Sequence, residues 1–183
     1  MKKLVSLALA ALLAVSAVGC GSSDSSSSTA DSAQSTEAAA DGATFKIGGI
    51  GPITGGAAIY GQAVMNAAQM AVDKINADGG INGYQVEFRF EDDEHDAEKS
   101  VNAYNTLKDW GMQMLMGTVT STPCTAVSAK TEEDNMFQLT PSGSAVESIA
   151  PANAFRVCFS DPNQGTASAQ YIGENKLASK VAV

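Results

Sequence analysis

Hydroxyl groups crowd into one short stretch of the chain, Gly117-Thr118-Val119-Thr120-Ser121-Thr122-Pro123. An apolar run, Met112-Gln113-Met114-Leu115-Met116, precedes it and predicts a short buried strand. Pro123 suits the first position of a helix, because its φ is preset and its missing N–H would go unpaired there. Thr122 is then the N-cap. Strand, hydroxyl-rich turn and helix follow in succession, so free N–H groups and the positive end of the helix dipole face whatever lies before the turn. That chemistry suits a small anion, most simply a carboxylate. From the turn alone, a capped helix start with no ligand is the simpler reading.

Other reactive groupings carry less. Glu91-Asp92-Asp93-Glu94-His95-Asp96 clusters carboxylates as a hard cation requires, but it lacks the glycine of a calcium loop. A strand end running into a helix cap at Asp96 accounts for these acids as solvated and capping groups. His95 is the single histidine, so a Ser–His or Cys–His nucleophile would have to use it, and no Gly-x-Ser-x-Gly is present. Gly49 and Gly51 begin a dinucleotide-binding pattern that Thr54 breaks and Pro52 interrupts, and no phosphate-binding lysine follows. The expectation is a protein that is not an enzyme and needs neither metal nor cofactor. Trp110, Met112, Met114 and Met116 are most simply core.

The elements that position the hydroxyl turn follow from periodicity. Phe45–Gly51 predicts a buried first strand, followed by a loop through Tyr60 and a helix of about five turns from Gly61. Val64, Ala68, Ala71, Val72 and Ile75 share the buried face of that helix. Gln85–Glu91 alternates Val86, Phe88 and Phe90 against Glu87, Arg89 and Glu91, as in a half-buried strand near a sheet edge. Asp96 caps a helix buried through Ala97, Val101, Tyr104 and Leu107 and stopped at Gly111. Met136–Thr140 predicts a fourth strand, Pro141–Ser144 a turn into a short helical piece, and Ala154–Phe159 a further extended segment. A helix over 163–175 and a strand beginning at Lys180 close the chain. Strand–helix alternation of this kind predicts an α/β fold with a parallel, doubly wound sheet. In strand order 2-1-3-4, the Tyr60 loop and the Ser121 turn face each other across the crevice where order reverses. The Ser142–Ser144 turn stands beside them. Together they suit a small zwitterion.

The ends of the chain carry different signals. Met1-Lys2-Lys3 and the apolar Leu4–Val15 form a secretory leader too short to span a membrane, ending at Ala17-Val18-Gly19-Cys20. That ending resembles a bacterial lipobox, which implies cleavage over 1–19 and lipid on Cys20. Residues 20–43, rich in Ser and Ala and free of large apolar side chains, predict a flexible tether. An anchored tether places the folded part on the outer face of a cytoplasmic membrane, and its length fits a Gram-positive surface best. The net charge of −9 becomes −11 once Lys2 and Lys3 are removed. An acidic chain without a basic run excludes a nucleic-acid partner. Cys124 and Cys158 remain in an oxidising compartment, where a bridge between them is left open.

The ordered series Gly51-Pro52-Ile53-Thr54-Gly55, Tyr60-Gly61, Ile75-Asn76-Ala77-Asp78-Gly79-Gly80-Ile81-Asn82-Gly83, Asp92-Asp93, the Ser121 turn and Thr140-Pro141-Ser142-Gly143-Ser144 resembles the branched-chain amino-acid-binding proteins of ABC importers. These have the type I periplasmic-binding-protein fold. The resemblance runs from about Phe45 to the last residue. It implies two α/β lobes that close on an amino acid and then dock on a membrane permease. By position, Ser121 and Thr122 would hold the α-carboxylate. Ser142, through its carbonyl, and Ser144 would hold the ammonium and carboxylate, and Tyr60 would pack on the ligand. On this basis residues 44–159 are a first ligand-binding lobe and 160–183 the start of a second, in an N-terminal fragment of a longer protein. A receptor for short amides or urea, or a sensor module of the same fold, is the alternative.

Overall fold

The computed structural model describes residues 42–182. The leader over 1–19, Cys20 and the tether as far as residue 41 lie outside these, as does Val183.

Five strands form one parallel sheet: β1 (Thr44–Gly51), β2 (Gln85–Asp92), β3 (Met114–Gly117), β4 (Gln138–Thr140) and β5 (Ala154–Arg156), in the order β2-β1-β3-β4-β5. β1 pairs with β2 from Thr44↔Gln85 to Gly51↔Asp92 and with β3 from Ile47↔Met114 to Ile50↔Gly117. The half-polar β2 sits at the sheet edge, as its alternation predicts. Four helices connect or follow the strands: α1 (Ala58–Ala77), α2 (Ala97–Trp110), α3 (Ser121–Glu133) and α4 (Asp161–Glu174). A 3-10 turn, Val146–Ile149, lies between β4 and β5.

The core gathers Ile50, Leu115 and Met112 from the sheet side with Ala103, Tyr104 and Leu107 from α2 and Val127 from α3. Burying such side chains stabilises the lobe by about 1.5–3 kcal/mol each. Tyr104 is fully buried, and its hydroxyl donates to Asp134 at 2.8 Å. Lys108 also donates to Asp134, and these two contacts, the lysine's first, hold that carboxyl below the usual range. On α1, Gly61 and Val72 are buried and Val64, Ala68 and Ile75 half-buried, whereas Ala71 is exposed.

Helix boundaries differ from the sequence expectation in instructive ways. α1 begins at Ala58, three residues before Gly61. β3 begins at Met114 rather than Met112, because the N–H groups of Gly111 and Met112 close the end of α2 onto Lys108 and Leu107 with Gly111 in the left-handed region at φ 90°. Likewise Met136 N–H closes α3 onto Thr131, with Asn135 left-handed at φ 51°, so β4 starts at Gln138. α3 begins at Ser121, with Thr120 as N-cap, not at Pro123 after Thr122. Cys124 and Cys158 are free. Cys124 is buried under the β3–α3 turn with Gln138 Nε2 at 3.4 Å, while Cys158 lies beyond β5. Lys180–Ala182 forms no strand, since no neighbouring strand supplies a ladder.

Candidate functional site

The site sits where β3 and β4 part. Their ladder ends at Met116↔Leu139. Beyond it, side chains take over. Gln138 Nε2 donates to the Gly117 carbonyl at 3.0 Å, Thr140 Oγ1 to that of Thr118 at 2.7 Å and Ser142 Oγ to that of Val119 at 2.5 Å. Residues 138, 140 and 142 share one face through the two-residue period of an extended chain, so three successive carbonyls are met by every second side chain. Gln138 also accepts from Thr131 Oγ1, and Thr140 Oγ1 accepts from Gly143 N–H. Gln138, Thr140, Thr118 and Thr131 are fully buried. Losing any one member would leave a buried polar group unpaired at a cost of about 1–3 kcal/mol. This network fixes the backbone from Gly117 to Val119 and from Thr140 to Gly143.

The start of α3 is left open. Thr120 has the extended φ and ψ of an N-cap, yet its side chain makes no capping bond. Its Oγ1 lies 2.8 Å from His95 Nδ1 instead. Ser121 Oγ is engaged as well, accepting from the N–H groups of Ser144 at 3.1 Å and Ala145 at 3.2 Å. Pro123 has no N–H, and the N–H of Cys124 reaches the Thr120 carbonyl. The N–H groups of Ser121 and Thr122 therefore find no acceptor among the described residues. Two free donors at the positive end of a helix suit an anion.

Tyr60, Val119, Thr120, Ser121, Ser142 and Ser144 line a hollow of about 240 Å³ in front of that helix end. The structure thus brings together Tyr60, Ser121, Ser142 and Ser144. It does not bring in the Thr122 side chain. One residue further round the helix, Thr122 turns into a neighbouring hollow of about 510 Å³ with Ala97, Thr125, Ala126, Ala145 and Glu147. Ser121 lines both hollows. No donor reaches the Ser142 carbonyl among the described residues, so it remains an acceptor. The Tyr60 ring is 63% exposed at the open side.

Asp92 holds the loop that delivers Tyr60. Its carboxylate accepts from Ile53 N–H and Glu94 N–H, each at 2.9 Å, and from Thr54 Oγ1. Burial opposes its ionisation, but these hydrogen bonds together outweigh that and keep its pKa below the usual value. Its neighbour Asp93 behaves oppositely. It is fully buried, and burial pushes its pKa up to about 6. Oδ1 accepts from His95 N–H, while Oδ2 has no partner. Burial also pushes the Cys124 thiol up.

Sequence reasoning missed Val119, Thr120 and the His95 contact, because these depend on how β1, β2 and β3 end side by side. It also missed Arg156 of β5, which grips the loop carrying Ser142 and Ser144. The alternating polar residues of Gln138-Leu139-Thr140-Pro141-Ser142 in a buried strand were the available signal for the side-chain ladder.

A parallel sheet in this order, with converging hydroxyls and an open helix end between β1 and β3, is a lobe of the type I periplasmic-binding-protein fold. The chain belongs to the periplasmic binding protein family, whose profile matches residues 44–183. It is 35% identical over 148 residues to Leu/Ile/Val-binding protein homolog 3 of Brucella melitensis, covering 80% of this chain and 40% of that one. Its structure is similar to the branched-chain amino acid transporter substrate binding protein LivJ of Streptococcus pneumoniae in complex with isoleucine. That match has a TM-score of 0.67 at 29% identity and covers 72% of this chain and 38% of the other. A fatty acid ABC transporter substrate-binding protein from Thermomonospora curvata shares the fold alone, with a TM-score of 0.66 at 22% identity over 75% and 35% of the two chains. The chain thus spans about 40% of the length of the relatives it matches.

Proposed function

We propose that this chain forms the first lobe of an extracytoplasmic receptor that binds an aliphatic amino acid, most simply a branched-chain one, and delivers it to an ABC permease. The observation that carries this reading is the uncapped start of α3, whose free Ser121 and Thr122 N–H groups open on the hollow shared with Ser144 and Tyr60. The ligand carboxylate sits against these two N–H groups and the Ser121 and Ser144 hydroxyls. The Ser142 carbonyl takes one ammonium hydrogen, and Tyr60 covers the aliphatic body. Donors outnumber acceptors here, which favours a carboxylate over an uncharged amide. Residues 44–159 make this lobe, 160–183 begin the second, and closure of the two traps the ligand. Residues 1–19 direct export, lipid on Cys20 anchors the protein, and 20–43 tether it beside the permease. The protein turns nothing over. The names of its relatives support the amino-acid reading.

The test is a thermal-shift panel on the protein from the whole reading frame, with leucine, isoleucine, valine, short amides and urea. A ligand at a hundredfold its Kd adds about 2.7 kcal/mol to stability. The aliphatic amino acids are expected to raise the midpoint. A shift with amides or urea alone sinks the substrate assignment, and no shift with any of them sinks the receptor reading.

A further inference from the structure

Arg156 takes part in none of the ion pairs among the described residues. It points instead into the back of the loop that carries Ser142 and Ser144. Its Nη1 donates to the carbonyls of Ser144 and Ala145, both at 2.9 Å, and reaches that of Gly143 at 3.4 Å. A trans peptide group is planar and carries its C=O and N–H on opposite sides. Drawing the Gly143 and Ser144 carbonyls toward the guanidinium therefore turns the N–H groups of Ser144 and Ala145 the other way. Both donate to Ser121 Oγ, at 3.1 and 3.2 Å. A hydroxyl oxygen has two lone pairs and one hydrogen. With both lone pairs filled, Ser121 is left with a hydrogen to give, at the mouth of the hollow where it adjoins the free N–H groups of α3.

We propose that Arg156 is a positioning residue for the ligand carboxylate: by fixing the peptides of residues 143–145 it makes Ser121 a dedicated donor. This rests on the receptor reading above. The same contacts remove acceptors from the site. The Ser144 carbonyl also takes the Asp161 N–H at 3.1 Å, and the Gly143 and Ala145 carbonyls face the guanidinium, so of the carbonyls of residues 142–145 only that of Ser142 is left to the ligand. The fixed cation behind the loop adds positive potential where the carboxylate sits.

Two measurements on the protein from the whole reading frame test this. The first needs no ligand: amide hydrogen exchange at Ser144 and Ala145. Both amides are expected to exchange at least about tenfold faster in Arg156→Met, which frees their peptide planes to turn, and in Ser121→Ala, which removes their acceptor. Unchanged exchange in Arg156→Met overturns the relay. Arg156→Lys, which keeps a charged nitrogen donor, is expected to fall between the wild type and the methionine variant. If a folded lysine variant matches the methionine variant, the effect reports loosening of β5, and the proposal fails. The second is calorimetry with isoleucine. Arg156→Met is expected to weaken binding about tenfold or more with Ser121 present and less than about twofold in the Ser121→Ala background. Equal losses in the two backgrounds overturn the route through Ser121. Should isoleucine not bind the wild type at all, the receptor reading falls, and the exchange rates still decide the relay.

Discussion

Ser121 and Asp93 show how neighbours assign a side chain its state. Ser121 accepts two backbone N–H groups and is left to donate. Ser144 Oγ has no partner of its own among the described residues. A hydrogen bond to a charged group contributes about 1.5–3 kcal/mol, or roughly ten- to a hundredfold in affinity. Ser121→Ala is expected to lose at least that, because it also strands the N–H groups of Ser144 and Ala145; Ser144→Ala should lose about tenfold. Titration calorimetry with isoleucine would rank them, and an undiminished Ser121→Ala would remove the carboxylate from α3. Asp93 gives a prediction in pH. Its folded pKa of about 6 exceeds the ordinary 3.8, so the fold prefers the protonated acid. That stabilisation is fully present below about 3.8 and is lost as pH rises through about 6. Asp93→Asn mimics the neutral acid. It should raise the melting temperature at pH 8 by the equivalent of roughly 2–3 kcal/mol and flatten the stability profile between about pH 4 and 6. A variant that melts lower than wild type at pH 8 would mean that the ionised form is stabilised by something other than its visible contacts.

At the scale of elements, α1 is positioned by an exclusion as much as by attractions. A Cβ on Gly61 would lie 1.9 Å from the Pro52 carbonyl oxygen, a backbone atom that cannot rotate aside. Alanine gains about 1 kcal/mol over glycine in a helix, but displacing packed backbone costs about 1–3 kcal/mol or more, so the collision dominates. Gly61→Ala should lower the melting temperature and, by moving the Pro52–Ala57 loop, weaken isoleucine binding through the adjacent Tyr60. A variant as stable as the wild type would show that the loop yields freely. The strand order around the β1/β3 crevice was legible in the sequence, because two-residue and 3.6-residue periods mark strands and helices and parallel crossovers restrict the order. The hydroxyl turn was legible for the same reason. The first residue of α3 was not. Proline loses nothing at any position in the first helical turn, where N–H groups have no intrahelical partner, so Pro123 marks the turn without marking its start. Thr122 was misplaced with it, as the N-cap is Thr120. Arg156 was invisible for a different reason. Its partners lie 11–13 positions away, across the β4–β5 connection, and no local pattern announces them.

At the scale of the whole molecule, the proposed receptor makes the described lobe an open half-site. On the proposed reading, its two free N–H groups and two hydroxyls serve a carboxylate, one carbonyl an ammonium and one exposed ring an aliphatic chain. Several hydrogen bonds of about 1.5–3 kcal/mol each stand against an association cost of about 4–15 kcal/mol, which leaves little net affinity on one face. In the proposed receptor, closure of a second lobe would add contacts without a second association cost and exclude water, which would strengthen the bonds already made. α4 belongs to that argument, since none of its residues is buried. Its amides should exchange far faster than those of α2 and α3 in the 183-residue chain and become protected in the protein from the whole reading frame. Isoleucine should accordingly bind the 183-residue chain at least about a hundredfold more weakly than it binds the longer protein, a difference of about 2.8 kcal/mol supplied by closure. Calorimetry on the longer protein and an NMR titration on the shorter one would measure it. Equal affinities would mean that the first lobe binds unaided, and that closure serves recognition by the permease and adds nothing to capture.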